Sequence, residues 1–259
     1  MGSMMRAFLL AVTTLVTGVV GAELPDIQTI KQEADRAWHA DVQLWADYAF
    51  KRQVIRQSFD ADGNTKSRQD MRFRVTPSGE GFDEVLMEID GREPTSREAA
   101  EQRRKAIFTK HYRQAEKLNL ENPLGEDLTL LPIIQAQEHR LVGEDAVNGV
   151  ACYRTKFDAG REPPKGASVR EKLKYAIKGS ACFSTEGYHL VEFEMETVRA
   201  LKKGAITMNY LHMTIEARPV DDGWFPKTVK LRSDVVVLGK KLRKSNTWQY
   251  TEFRLKSNN

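Results

Sequence analysis

The pattern of apolar and polar positions divides the chain into one amphipathic helix followed by many strands. Between Ile27 and Trp45, apolar residues recur three or four positions apart, which predicts a helix with one hydrophobic face. Farther along, apolar and polar residues alternate, as where Val191, Phe193 and Met195 are interleaved with glutamates. This second pattern predicts antiparallel strands with one buried and one solvated face.

Turn signals separate roughly nine or ten such strands. The sequence "ADGN" at 61–64 and the pair Asn148-Gly149 predict hairpin turns, and the basic run "KKLRK" at 240–244 is expected to link the last two strands. Twisted antiparallel sheets of this size tend to curl. The predicted fold class is therefore α+β and mainly antiparallel β, with a curled sheet or incomplete β-barrel whose concave face is covered by helices.

The string GREP occurs twice, at 91–94 and 160–163, each time after a predicted strand. A capping box follows each copy, formed by Thr95 with Glu98 and by Ser168 with Glu171. Glycine releases the strand and proline prevents its continuation, so both copies predict an exit from the sheet into a covering helix. Helical insertions are expected near 96–137 and 168–178; the first contains a charged helix at 96–118 and a shorter helix at 126–137.

The first 22 residues have the composition of a cleaved secretory signal peptide. Arg6 precedes an apolar run at 7–20, and the small residues Gly21 and Ala22 follow it. The predicted product is a periplasmic protein in which residues 23–259 form a single domain, expected to be a monomer.

The two cysteines, Cys152 and Cys182, both fall in strand-like runs. In an exported protein this pattern favours a disulfide, whereas two buried free thiols are the alternative. Because no CxxC spacing is present, neither interpretation makes the cysteines catalytic.

The charge balance indicates an ordinary solvated surface. The 40 basic and 36 acidic residues give a net charge of +4 and are interleaved along the chain, which argues against a nucleic-acid partner. Arg103, Arg104 and Lys105 are candidates for peripheral contact with anionic lipid head groups.

The sequence contains no motif for catalysis, metal binding or cofactor binding. No G-x-S-x-G elbow or glycine-rich phosphate loop is present, and the histidines lack the spacing of a metal site. These are His39, His111, His139, His189 and His212. The sequence therefore favours a non-enzymatic protein without a cofactor, with an exported hydrolase of dispersed site as an alternative.

Several stretches between residues 45 and 256 resemble the LolA/LolB-like superfamily of periplasmic lipoprotein carriers and its uncharacterised exported relatives. They include "DYAFKRQVIRQSFDADGNTKSRQDMRFRV", "DGREPTSREAAEQRRK", "HRLVGEDAVNGVACYRTKFDA", "YHLVEFEMETV" and "DDGWFPKTVKLRSDV". The resemblance implies an incomplete antiparallel barrel whose concave hydrophobic face is capped by helices and holds acyl chains. The long charged helix and the cysteine pair depart from the carriers.

The resulting hypothesis is a periplasmic protein that holds a lipid or an acylated protein in a hydrophobic groove and takes part in lipoprotein or lipid trafficking to the outer membrane. Its partners would be a lipid or acyl chain, a lipoprotein, or another envelope protein. The candidate groove-lining residues are Trp38, Val191, Phe193, Met195, Met208, Tyr210, Val235 and Val237. The alternative is a structural or interaction module of the cell envelope whose interior is filled by its own side chains.

Overall fold

The structure is a computed structural model that describes residues 24–78, 81–103, 137–167, 169–203 and 205–256. The predicted signal peptide, residues 104–118 of the predicted charged helix, residues 126–136 of the predicted shorter helix, and Ser168 lie outside these ranges. Within them, no helix combines the length and the hydropathy needed to cross a membrane.

Three helices and eleven strands make up the described part of the chain. In chain order they are α1 (Ile27–Trp45), β1 (Tyr48–Phe59), β2 (Thr65–Ser78), β3 (Gly81–Ile89), α2 (described over 96–103), β4 (His139–Val147), β5 (Val150–Phe157), α3 (Val169–Ala176), β6 (Ile177–Ser184), β7 (Leu190–Thr197), β8 (Leu201–Lys203), β9 (Ile206–Val220), β10 (Gly223–Val237) and β11 (Lys240–Leu255).

All eleven strands form one antiparallel sheet. The strand order is β3-β2-β1-β11-β10-β9-β7-β6-β5-β4, with the short β8 pairing beside β9. The described strands leave β3 and β4 as two separate edges, so the sheet curls without closing. This arrangement confirms the predicted fold class. It adds β8 to the expected strands, because three residues are too few to show alternation.

Two-residue turns with left-handed backbones join the long hairpins. Asn148 and Gly149 have φ values of 52° and 83°, which confirms the Asn-Gly prediction. Leu238 and Gly239 have φ values of 49° and 78° and make the same kind of turn between β10 and β11. The prediction that 240–244 is a linker was therefore wrong.

The basic run at 240–244 can form part of β11 because Asp234 on β10 pairs with two of its side chains. Arg243 donates from Nε to Asp234 at 3.1 Å, and the Lys241 ammonium lies 3.3 Å from the same carboxylate. Cross-strand pairs of opposite charge stabilise a sheet, so a run of like charges in sequence is no obstacle to a strand.

Both GREP segments follow a strand and precede a helix, but their residues make different contacts. After the first copy, Thr95 and Glu98 exchange backbone-to-side-chain bonds of 2.9 and 3.3 Å, which confirms that capping box. Arg92 also clamps Glu98 with bonds of 2.9 and 2.7 Å, and these contacts lower the pKa of Glu98 to about 2. In the second copy, the carbonyl oxygens of Gly160 and Arg161 instead accept hydrogen bonds from the guanidinium group of Arg199.

The main hydrophobic core lies on the concave side of the sheet, beneath α1. A smaller cluster surrounds a disulfide between Cys152 and Cys182, with Val191 packed against it. The Cα atoms of the two cysteines are 5.6 Å apart, within the usual range for a disulfide. The disulfide prediction is confirmed, and the free-thiol alternative is not.

The disulfide should contribute substantially to stability, because it closes a loop of sequence separation 30. Replacing both cysteines by alanine should lower the free energy of unfolding by about 3 to 4 kcal/mol, measured by urea denaturation. Reduction of the wild-type protein should produce a similar loss. A loss well below about 2 kcal/mol would contradict this account.

Candidate functional site

Helix α1 crosses the concave face of the sheet from β10 to β4. Near its C-terminal end, Trp45 donates from Nε1 to the carbonyl oxygen of Trp224 at 2.6 Å. Near its N-terminal end, Lys31 donates from Nζ to the carbonyl oxygen of Gln137 at 3.3 Å. The helix is therefore attached at both ends and spans the strands between them.

The C-terminal end of α1 also packs closely against the start of β10. Gly223 begins β10, and a Cβ atom at this position would meet the end of the Leu44 side chain on α1. Glycine therefore leaves room for the Leu44 side chain in its present position.

A cavity of about 340 Å³ lies between the rest of α1 and the sheet. The helix supplies residues at the spacing of one helical face, and β4, β5, β6, β7 and β9 supply the opposite wall. The lining residues are Gln28, Lys31, Gln32, Ala34, Asp35, Trp38, His139, Thr155, Ala181, Phe183, Leu190, Phe193, Met213 and Ile215.

Strand register explains why these sheet residues share a wall. Thr155 pairs with Ala181, Ala181 with Phe193, and Phe193 with Ile215, so the four residues form a row across β5, β6, β7 and β9. Directly paired residues point to the same face of a sheet. The row becomes more apolar from β5 towards β9.

Polar groups gather at the β4 end of the cavity. Lys31 lies there with two glutamines of α1, and His139 Nδ1 is 3.3 Å from Thr155 Oγ1. Because β4 is an edge strand, this end of the cavity lies at the margin of the sheet.

Aromatic and aliphatic side chains form the opposite end. Trp38, Leu190 and Ile215 line both the cavity and a smaller void of about 30 Å³ beyond it. Trp38 also packs edge-on against Trp45, with their ring centroids 5.2 Å apart. The cavity therefore runs from a polar margin to an apolar inner end.

A buried carboxylate connects α1 to the sheet beside this inner end. Asp41 is 5% exposed; its carboxylate lies 2.8 Å from His189 Nδ1 and accepts from the backbone N–H of Trp224 at 3.0 Å. The His189 ring in turn stacks on Trp224, with centroids 5.6 Å apart. Burial raises the pKa of Asp41, while the bonds from His189 and Trp224 partly oppose that shift.

Asp41 and His189 are residue types that form catalytic pairs, but the hydrogen bonds of the nearby hydroxyl do not place it as a nucleophile. The nearby Ser184 hydroxyl donates to the carbonyl oxygen of Glu186 at 2.6 Å and accepts from the backbone N–H of His189 at 2.9 Å. Both of its bonds therefore shape the turn before β7. In the described ranges, no group of three or more His, Cys, Asp or Glu side chains is arranged to hold a metal ion.

The sequence-based list of lining residues is scattered over the fold. Trp38 and Phe193 line the cavity. Val191 packs against the disulfide, and Met195 is fully buried in the core opposite Met213. The remaining four residues lie on β9 and β10, away from the described cavity wall; they are Met208, Tyr210, Val235 and Val237.

Strand alternation explains the placement of Tyr210. Its ring stacks on His212, 6.2 Å away, whereas the cavity residues Met213 and Ile215 have the opposite parity on β9. Tyr210 is 36% exposed and lies on the other face of the sheet. The hydrophobic pattern of β9 did not distinguish its two faces.

Comparisons with known proteins give only distant likenesses. No protein-family model and no curated protein matches the sequence. Among solved structures, the chain is similar to a Vibrio parahaemolyticus domain classed as an outer membrane lipoprotein-sorting protein domain, at 10% identity and a TM-score of 0.33, over 87% of this chain and 94% of that one.

Two further structures are similar at the same level. A DUF1329 family protein from Desulfovibrio piger has 10% identity and a TM-score of 0.38, over 91% of this chain and 95% of that one. A chain of the Pseudomonas aeruginosa MucA/MucB complex has 8% identity and a TM-score of 0.27, over 88% and 99%. None of the three descriptions names an enzymatic reaction, and likenesses this low support no inference about function.

The Asp41–His189 contact predicts a measurable response to mutation. His189→Gln should raise the pKa of Asp41 further, because the bond and charge that favour the carboxylate are weakened while its burial remains. Carboxyl chemical shifts followed by NMR from about pH 3 to pH 8 would report this pKa. His39→Gln is the control, since His39 lies 3.7 Å from the exposed Asp35 on α1. An unchanged or lower pKa in His189→Gln would contradict the assignment.

The same shift has a defined effect on stability. Because folded Asp41 binds its proton more tightly than the unfolded chain does, its ionisation disfavours folding. Its contribution to stability therefore falls as the pH rises from the ordinary pKa of aspartate to the raised one.

Proposed function

We propose that this protein binds the hydrocarbon chain of a lipid or of an acylated protein in the cavity beneath α1. The cavity itself, about 340 Å³ with mainly apolar walls, is the observation that carries the proposal. Ligand sites typically have volumes of about 300 to 1,000 Å³ and combine apolar walls with a few polar groups.

The chemistry of the walls favours hydrocarbon over a polar ligand. Phe183, Leu190, Phe193, Met213 and Ile215 offer van der Waals contact but no strong hydrogen-bonding groups. Burying a methylene group among such side chains contributes about 0.8 kcal/mol, so a chain of several carbons gains enough to offset the cost of immobilisation. A sugar or nucleotide packed against these side chains would leave its polar groups without partners.

The size of the cavity argues against the alternative of a filled structural module. A module with a filled interior would leave no groove of ligand size beneath its covering helix, whereas the space beneath α1 is about 340 Å³. The alternative of an exported hydrolase has less support, because the Ser184 hydroxyl, which accepts from the backbone N–H of His189, is held in a turn.

Export to the periplasm and a role in lipid or lipoprotein trafficking complete the proposal. The disulfide is consistent with an oxidising compartment. A carrier needs a covered apolar cavity and no reaction chemistry, and α1 provides such a cover.

Filling the cavity from the helix side tests the proposal. Ala34 lines the cavity, whereas Ala40 is exposed on the same helix. Ala34→Phe should weaken binding of a fluorescent fatty-acid probe at least about tenfold, because the ring occupies the space of several methylene groups. Ala40→Phe should bind like the wild type. Binding would be measured by probe fluorescence in the absence of detergent.

Two outcomes would contradict the proposal. The wild-type protein could fail to bind the probe, or Ala34→Phe could bind it as tightly as Ala40→Phe does. Circular dichroism of both variants would verify that the comparison is made between folded proteins.

A further inference from the structure

Resting on the proposed function, we infer that the cavity accepts one acyl chain of about eleven carbons, with an anionic head group such as a carboxylate at the β4 end. The ligand would be a free fatty acid or a similar single-chain amphiphile. Of the ligands named in the proposed function, this inference retains single-chain lipids and singly acylated proteins, and ligands with two or three chains would be excluded.

The volume of the cavity sets the number of carbons. A methylene group occupies about the same volume as a water molecule in the liquid, roughly 30 Å³. A cavity of about 340 Å³ therefore holds roughly eleven such groups. A second chain of similar length would need as much volume again.

The inner end of the cavity sets the direction of the chain. Trp38, Leu190 and Ile215 line both the cavity and an adjoining void of only about 30 Å³, which is too small to continue a chain by more than about one carbon. These side chains are apolar apart from the indole N–H of Trp38, so this end suits a terminal methyl group. The head group must then lie at the other end.

Groups at the β4 end suit an anionic oxygen ligand. Lys31 uses one bond to hold Gln137, and an ammonium group has two further N–H donors. The amides of Gln28 and Gln32 and the ring of His139 lie on the same part of the wall. The acidic lining residue Asp35 lies 3.7 Å from His39, which offsets part of its charge when that histidine is protonated.

Calorimetric titration with saturated carboxylates of about 8 to 18 carbons tests this inference. Affinity should rise about fourfold per methylene while the chain still enters the cavity. It should then level off near eleven or twelve carbons, because further methylene groups stay in water. The expected stoichiometry is one chain per protein, and vesicles of dilauroylphosphatidylglycerol should transfer no lipid to it.

Head-group recognition is tested with two matched charge variants on α1. Lys31→Gln should weaken dodecanoate binding by about five- to tenfold, in line with loss of a hydrogen bond to a charged group. Arg36→Gln removes the same charge from the outer face of the helix, where Arg36 is 72% exposed, and should bind like the wild type. The methyl ester of dodecanoate should bind less tightly than the acid.

Each contrary result would overturn a different part of the proposal. Affinity that keeps rising to 18 carbons, or binding of the two-chain lipid, would overturn the single-chain assignment while leaving the proposed function intact. Equal binding by Lys31→Gln and Arg36→Gln, or by acid and ester, would overturn the head-group assignment. If no acyl compound binds, the proposed function itself fails.

Discussion

The attachment of α1 across the concave face is the constraint on which the rest of the structure depends. Trp45 and Asp41 fix one end of the helix to β10 and the turn before β7, and Lys31 fixes the other end near β4. Between these points the helix bridges the sheet without filling the space beneath it. Burying Asp41 is costly, and its paired hydrogen bonds offset that cost only in this one position of the helix. The volume of the cavity follows from that position.

The two halves of the concave face are built differently. Beneath β1, β2 and β11, large side chains such as Phe50, Phe73 and Tyr250 fill the interior, and a partly buried ion pair of 2.6 Å joins Arg52 to Glu84. On the cavity side, the helix and sheet contribute small residues, notably Ala34 and Ala181. One continuous sheet thus has a packed half that supports the fold and a half, beneath α1, that leaves open space.

Much of the fold could be predicted from residues that lie close together in the sequence. Periodicity identified α1 and most strands, and the Asn148-Gly149 and Thr95-Glu98 signals depend on neighbouring residues alone. The Asp41–His189 contact could not be found this way, because it joins residues 148 positions apart. One signal was available: Asp41 lies four residues from both Ala37 and Trp45, on the buried face of an amphipathic helix. The lining residues depend on strand register and on which face the helix covers, and alternation alone determines neither.

The most direct test of a binding cavity beneath α1 is a crystal structure with a fatty acid of about eleven carbons that carries bromine on its terminal carbon. The account predicts one anomalous bromine peak beside Trp38, Leu190 and Ile215, with the carboxylate near Lys31 and His139. A bromine peak only outside the cavity, or an empty cavity at saturating ligand, would contradict the claim that this space is a binding site.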